Sequence, residues 1–211
     1  MEINALIIRS IEAQANSLLD LAHRDSNDYQ RAVELILGMS GKLVFTGMGK
    51  SGIIARKLAA TFSSTGVPSF FVHPGEAYHG DLGMIEVNDV LFALSNSGET
   101  PELLNLLKYS RSKKVIGVSH SNDSSLSSFA TVHLECKVDK EVCPLNLAPT
   151  TSTTAALVMG DAICAALMEL KKFSKDDFAQ FHPGGALGRS LLTKAKDVML
   201  TDVPLVAPEA N

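Results

Sequence analysis

The sequence predicts an α/β fold, a three-layer sandwich around a five-stranded parallel sheet of order 2-1-3-4-5, of the flavodoxin or Rossmann-like kind. Three observations predict it. Short, wholly apolar runs such as Val90-Leu91-Phe92-Ala93-Leu94 have the composition of strands covered on both faces. Segments of helical periodicity separate these runs, as crossovers between parallel strands require. Two of the runs pass directly into turns rich in glycine or serine, Gly47-Met48-Gly49-Lys50-Ser51-Gly52 and Ser95-Asn96-Ser97-Gly98-Glu99-Thr100, each followed by a helix.

The elements follow in order. Ile3, Leu6, Ile7, Ile11, Leu18, Leu19 and Ala22 recur at helical spacing, so residues 2–23 form an amphipathic helix. Asn27 is suited to cap a second helix through Val33, Leu35, Ile36 and Leu37, with Gly41 as its stop. Lys42 to Thr46 is the first strand, residues 47–52 a turn, and Ile53 to Ser64 a helix ended by Gly66. Pro68 to Val72 is the second strand, followed by a loop through Glu76, His79 and Asp81. The third strand is 90–94, and Thr100-Pro101 supplies an N-cap and a first-position proline for a helix over 101–112. Lys114 to Val118 and Val132 to Cys136 are the fourth and fifth strands, with a short serine-rich helical segment between them. Thr151 to Leu170 is apolar all round, so it needs cover beyond the sheet, which suggests a subunit interface. Ser174 and Asp177 have the spacing of a capping box for a last helix running into His182-Pro183-Gly184-Gly185.

Composition narrows the function. The 211 residues are 45% hydrophobic and 20% charged, enough for one sizeable core. A net charge of −4 offers no footprint for nucleic acid or an anionic membrane. Cys136, Cys143 and Cys164 are odd in number and lack C-x-x-C spacing, the usage of reduced cysteines. The first residues, Met1-Glu2-Ile3-Asn4, have no basic run ahead of an apolar one, so no signal peptide is expected. Gly160-Asp161 interrupts the longest apolar stretch, and no membrane span is expected. A cytoplasmic protein follows.

The two turns carry the chemistry. A strand that ends in hydroxyls and a glycine, then enters a helix, aims free N–H groups and a helix dipole at one point, a cradle for an anion. Ser95, Ser97 and Thr100 add neutral donors. The 47–52 turn satisfies G-x-G-x-x-G, but the second strand runs into His73-Pro74-Gly75 instead of ending in a ribose-binding acid, which argues against a dinucleotide. Gly49-Lys50-Ser51 imitates the end of a Walker loop, yet Val44 stands where that loop needs its first glycine. With strand order 2-1-3-4-5 the two turns face each other where the order reverses, across one crevice.

The Ser95–Thr100 stretch resembles the phosphosugar loop of the sugar isomerase (SIS) family. Met48-Gly49-Lys50-Ser51-Gly52, the run 70–77, His79-Gly80-Asp81-Leu82-Gly83-Met84, Cys143-Pro144-Leu145, Leu147-Ala148-Pro149-Thr150 and 182–189 are similar to the arabinose 5-phosphate isomerases of that family. The resemblance covers roughly residues 40–200. It implies an aldose–ketose isomerase that interconverts D-arabinose 5-phosphate and D-ribulose 5-phosphate for the Kdo/lipopolysaccharide pathway, as a homotetramer. It also implies a SIS domain over 1–196 and, over 197–211, the beginning of a CBS regulatory domain that is then cut off. Lys50, Glu102, Glu141, His182 and His79 match catalytic positions of the family. Gly49, Ser51, Ser95, Ser97, Thr100 and Thr150 match substrate-binding positions. The reaction takes no redox cofactor and no metal is expected. A phosphosugar-binding regulator without chemistry, or an isomerase of another phosphosugar, stays open as an alternative. His23, His120 and His133 match nothing and read as structural.

Overall fold

The computed structural model describes residues 2–24, 27–184, 188 and 193–200. The proposed start of a regulatory domain therefore lies almost entirely outside the described residues, apart from a final turn of helix at Ala195–Val198. Helices α1 (Ile3–Ala22) and α2 (Asp28–Leu37) precede β1 (Leu43–Gly47), α3 (Gly49–Ser64) and β2 (Ser69–Val72). Then come α4 (Pro74–Ala77), a 3₁₀ turn at Asp81–Met84, β3 (Val90–Leu94), α5 (Pro101–Tyr109) and β4 (Val115–Ser119). Then follow α6 (Ser125–Phe129), β5 (Val132–Glu135), α7 (Thr151–Leu170) and α8 (Lys175–Phe181).

All five strands are parallel, in the order β2-β1-β3-β4-β5. Each of β1, β3 and β4 is buried along its whole length, as predominantly apolar strands of a parallel sheet require, with Thr46 and Ser119 the buried polar positions near their ends. On one face Leu43, Phe45, Phe92, Leu94, Ile116 and Val118 pack under α2, α3 and α7. Phe45 lies between Phe92, stacked at 5.0 Å, and Phe62 of α3, edge-on at 5.1 Å. Burial of each such ring is worth roughly 1.5–3 kcal/mol. On the other face Val44, Leu91, Ala93 and Val115 meet Leu103, Leu106 and Leu107 of α5, Ala77 of α4 and Leu126 of α6.

Helix α7 is long and apolar enough to cross a membrane by length and composition, contrary to the expectation that Gly160-Asp161 rules this out. Here it lies against α1, α2 and α3. Gly160 allows the close approach to α3, since a Cβ there would come within 2.5 Å of Leu58. Asp161 pairs with Lys57 of α3 at 2.6 Å, with both side chains partly exposed.

Several local expectations are corrected. Helix α3 begins at Gly49, not Ile53, because its first turn packs on the end of β1: a Cβ on Gly52 would meet the Gly47 carbonyl oxygen at 2.4 Å. The glycines there serve a close crossing of helix and strand. Helix α2 stops at Gly38, and Asn27 makes no side-chain capping bond. Gly41 instead lets the 86–89 turn pass close by, where Asp89 accepts from the N–H groups of Lys42 (2.7 Å) and Glu86 (2.8 Å). Helix α5 ends at Tyr109, three residues before its expected end. The capping box of Ser174 and Asp177 forms as expected, and all three cysteines are free.

Candidate active site

The strand order reverses between β1 and β3, and the turns that leave these strands meet there as predicted. Ser51, in the first turn of α3, and Ser95, at the end of β3, line one small cavity of about 40 Å³. The third wall is the start of α7, through Pro149, Ser152 and Thr153, which the sequence reading did not assign. The signal available for them is the hydroxyl-rich run Thr150-Thr151-Ser152-Thr153-Thr154 at a helix start.

Ser95 organises the turn after β3. Its Oγ accepts from the Gly98 N–H at 3.1 Å and lies 2.8 Å from Thr100 Oγ1 and 3.5 Å from Ser97 Oγ. Gly98 adopts φ 70°, the left-handed turn that a side chain disfavours. Thr100 occupies the N-cap position of α5 but makes no capping bond, because its hydroxyl is turned toward Ser95. Three hydroxyls thus converge where the N-terminus of α5 also points, with no charged group among them. This is an arrangement for holding an oxyanion by neutral donors.

Glu102 follows within the first turn of α5, half-buried, with no hydrogen bond or ion pair among the described residues. Lys50 stands exposed in the first turn of α3, and Gly49 ahead of it adopts φ 55°. Gly49 lines a neighbouring depression of about 320 Å³ with Arg56, Phe71 and His73. His79 is exposed in the loop beyond β2, at the same end of the sheet.

Glu141 has a different setting. One carboxylate oxygen accepts from the Thr150 N–H (2.8 Å), the Thr150 hydroxyl (3.0 Å) and the Ser152 N–H (3.2 Å). The other accepts from the Ser152 hydroxyl. Glu141 therefore caps α7 from outside the helix, with the donors that the helix start leaves free. Burial alone would raise its carboxyl, but the bonds from Ser152 and Thr150 outweigh it and hold the group below its ordinary value. Thr150 faces this carboxylate and also accepts from the Val142 N–H at 3.2 Å.

His182 is not brought to this end of the sheet. Twenty residues of α7 carry the backbone about 30 Å from the site end of the sheet to the other. There Lys171 donates to the Gly66 carbonyl (2.6 Å), and Phe181 lies near Gly66. His182 closes α8 next to it, stacked on Phe178 at 3.9 Å with Nδ1 2.9 Å from the Phe178 carbonyl oxygen. Among the described residues no group of three or more His, Cys, Asp or Glu side chains is placed to hold a metal ion.

Comparison with known proteins gives this geometry a context. Residues 36–166 match the model of the SIS domain. The arabinose 5-phosphate isomerase KdsD of Yersinia pestis is 49% identical over 205 residues, 95% of this chain and 62% of that protein. The arabinose 5-phosphate isomerase KpsF of Escherichia coli is 46% identical over 206 residues, 96% of this chain and 63% of that protein. The chain thus spans about three fifths of the length of these relatives. A solved structure from E. coli CFT073, in complex with A5P, superposes with a TM-score of 0.81 at 43% identity, over 87% of this chain and all of that one.

Proposed function

This chain belongs to the SIS domain family, and from that premise we propose that it interconverts D-arabinose 5-phosphate and D-ribulose 5-phosphate. The observation that carries the reading is the uncharged hydroxyl cradle at Ser95, Ser97 and Thr100, with the Glu102 carboxylate, which has no partner among the described residues, in the next turn. Relatives at nearly half identity that are named for this reaction support it.

The cradle takes the phosphate, with Ser51 across the crevice. A five-carbon chain anchored there extends along the start of α5 and presents C1 and C2 to Glu102. Glu102 takes the proton from C2 of the aldose while O1 gains one, which gives an enediol. C1 then gains a proton as O2 loses one, and the ketose results. Lys50 polarises the substrate oxygens as negative charge develops on them, and His79 and His182 carry the hydroxyl protons. Gly49 and Thr150 border the substrate, and Glu141 keeps its wall of the site in place.

The functional unit in this proposal is a homotetramer in the cytoplasm. Its support is the exposed apolar face of α1, with Ile3, Ile7 and Ile11 more than half exposed, and the apolar groove of about 460 Å³ between α1, α2 and α7. Burial of such a face is what association accomplishes. His182, far from the cradle of its own chain, then serves the site of a neighbouring copy. Residues 1–196 are the SIS unit, and 197–211 begin a CBS-type regulatory module.

The test is an NMR assay of C2 proton exchange with a panel of pentose and hexose phosphates. Exchange with arabinose 5-phosphate above the others is the expected result. Binding of the panel without exchange would make this chain a phosphosugar sensor, and exchange with another member would move the substrate.

A further inference from the structure

A hydrogen-bonded chain that the proposed chemistry does not use runs behind the cradle. His133 stands on β5 in register with Gly117 of β4, half-buried. Its Nδ1 lies 2.7 Å from Asn122 Oδ1 and its Nε2 lies 2.8 Å from Ser119 Oγ. Ser119 Oγ is in turn 2.9 Å from Ser124 Oγ. An amide oxygen only accepts, so Nδ1 carries the proton and Nε2 accepts from the Ser119 hydroxyl. The Ser119 hydroxyl shares its proton between the ring and the Ser121 carbonyl oxygen, 3.1 Å away, and accepts from Ser124. Burial pushes the imidazole below its ordinary value, against the raising influence of Glu135 on β5 and Asp28 on α2, in keeping with a neutral ring.

A serine, a histidine and an amide in a row have the connectivity of an activated nucleophile. Ser119, however, is only 1% exposed, so no substrate carbon reaches it. The chain leads to the cradle instead. Three bonds hold the 95–100 turn from this side: His120 N–H to the Asn96 carbonyl (2.9 Å), Leu126 N–H to the Gly98 carbonyl (3.0 Å) and Ser125 N–H to Glu99 Oε1 (2.7 Å). All three donors lie within residues 120–126. Gly98 rests on Ser124 so closely that a Cβ would come 2.4 Å from the Ser124 Cβ.

We propose that His133 is a positioning residue for the anion cradle. By joining Asn122 to Ser119 and Ser124 it fixes the 120–126 stretch, and that stretch fixes Asn96, Gly98 and Glu99. The assignment rests on reading the 95–100 turn as the phosphate cradle. A binding loop held in its bound shape before the ligand arrives loses less freedom on binding, so the effect belongs in KM.

His133→Phe keeps a ring of similar size and removes both nitrogens, while His133→Gln restores one hydrogen-bonding group. The expected result for His133→Phe is a KM for arabinose 5-phosphate raised about tenfold with kcat within about threefold, partly recovered in His133→Gln. Hydrogen exchange supplies the substrate-independent readout: amides 96–99 should exchange about tenfold faster while 91–94 and 115–118 keep their wild-type rates. Asn122→Ala, at an exposed position, provides a second variant that should move KM and exchange in the same direction by less. Unchanged exchange at 96–99, or an equal rise across the sheet, overturns the proposal. If the wild-type chain neither binds nor isomerises arabinose 5-phosphate, the functional reading fails, and the exchange pattern still decides the role of His133.

Discussion

The Glu141 carboxylate accepts both the N–H and the hydroxyl of Thr150, at 2.8 and 3.0 Å, so a loop acid closes the N-terminus of the longest core helix. Glu141→Ala leaves four donors of Thr150 and Ser152 without their acceptor. The expected loss of stability is about 1–2 kcal/mol, the size of a lost N-cap, with Glu141→Gln milder. Thermal or denaturant unfolding checks it. An unfolding midpoint unchanged in both variants would show that the clasp does nothing for the fold.

The same contact sets a pH dependence. The Glu141 carboxyl is held below its ordinary value in the folded chain, so as pH falls the unfolded chain takes up this proton first. The contribution is fully present above the ordinary carboxylate range and is lost as pH falls through the lowered value. The stability difference between wild type and Glu141→Gln should therefore be largest near neutrality and shrink in acid. Unfolding midpoints of the two chains, measured from neutral to acid pH, give the comparison.

For the cradle, Ser97→Ala should raise KM for the phosphosugar and leave the unfolding midpoint nearly unchanged. Ser97 is exposed, and among the described bonds its hydroxyl touches only Ser95 and the Glu99 N–H. One hydrogen bond to a charged oxygen is worth about 1.5–3 kcal/mol, or roughly ten- to a hundredfold in KM. Steady-state kinetics on the pure variant decide; an unaltered KM removes this hydroxyl from the binding site.

Glu102→Gln retains size and hydrogen bonding but loses the proton acceptor. Binding should persist while turnover falls at least about 10²–10⁴-fold, the usual cost of a lost general base. Solvent deuterium entering C2 at the wild-type rate would move the base role elsewhere.

The remote position of His182 makes the proposed oligomer testable through activity. Glu102→Gln and His182→Ala chains, each inactive alone, should regain activity when unfolded together and refolded as a mixture. Each hybrid would hold sites in which an intact Glu102 meets an intact His182 of a neighbouring copy. Light scattering that finds a folded monomer, or mixtures as inactive as their parents, contradicts this arrangement.

The sheet was legible because its strands say the same thing in two ways. Leu43, Val44 and Phe45 are apolar on both faces, and the turns after them are where an α/β sheet binds ligands. That the turns after β1 and β3 share a crevice follows from strand order, and the family resemblance picks out Ser51 and Ser95 within them. What escaped depends on approach between distant segments. Gly49 to Gly52 looks like loop by propensity, yet it starts a helix because Gly52 sits against Gly47. Thr100 has every attribute of a cap, but a hydroxyl five residues earlier competes for it. Glu141 lies in a mixed-charge run that reads as surface, and only the fold reveals α7 beside it. The chain in order brings His182 close after α7 without telling that α7 has carried it to the far end.

The strand order also shapes how the chain acquires its function. β1 pairs with β3 through Thr46↔Ala93 and Gly47↔Leu94, so the two sides of the crevice come from segments nearly fifty residues apart, with β2 and its crossover between them. The third wall, from α7, arrives still later in the sequence. No early fragment emerging from a ribosome holds the crevice, and such distant pairings form slowly compared with helices. In refolding, helical signal should recover first and capture of the proposed phosphosugar last, which would make ligand capture a report on completed topology rather than on collapse.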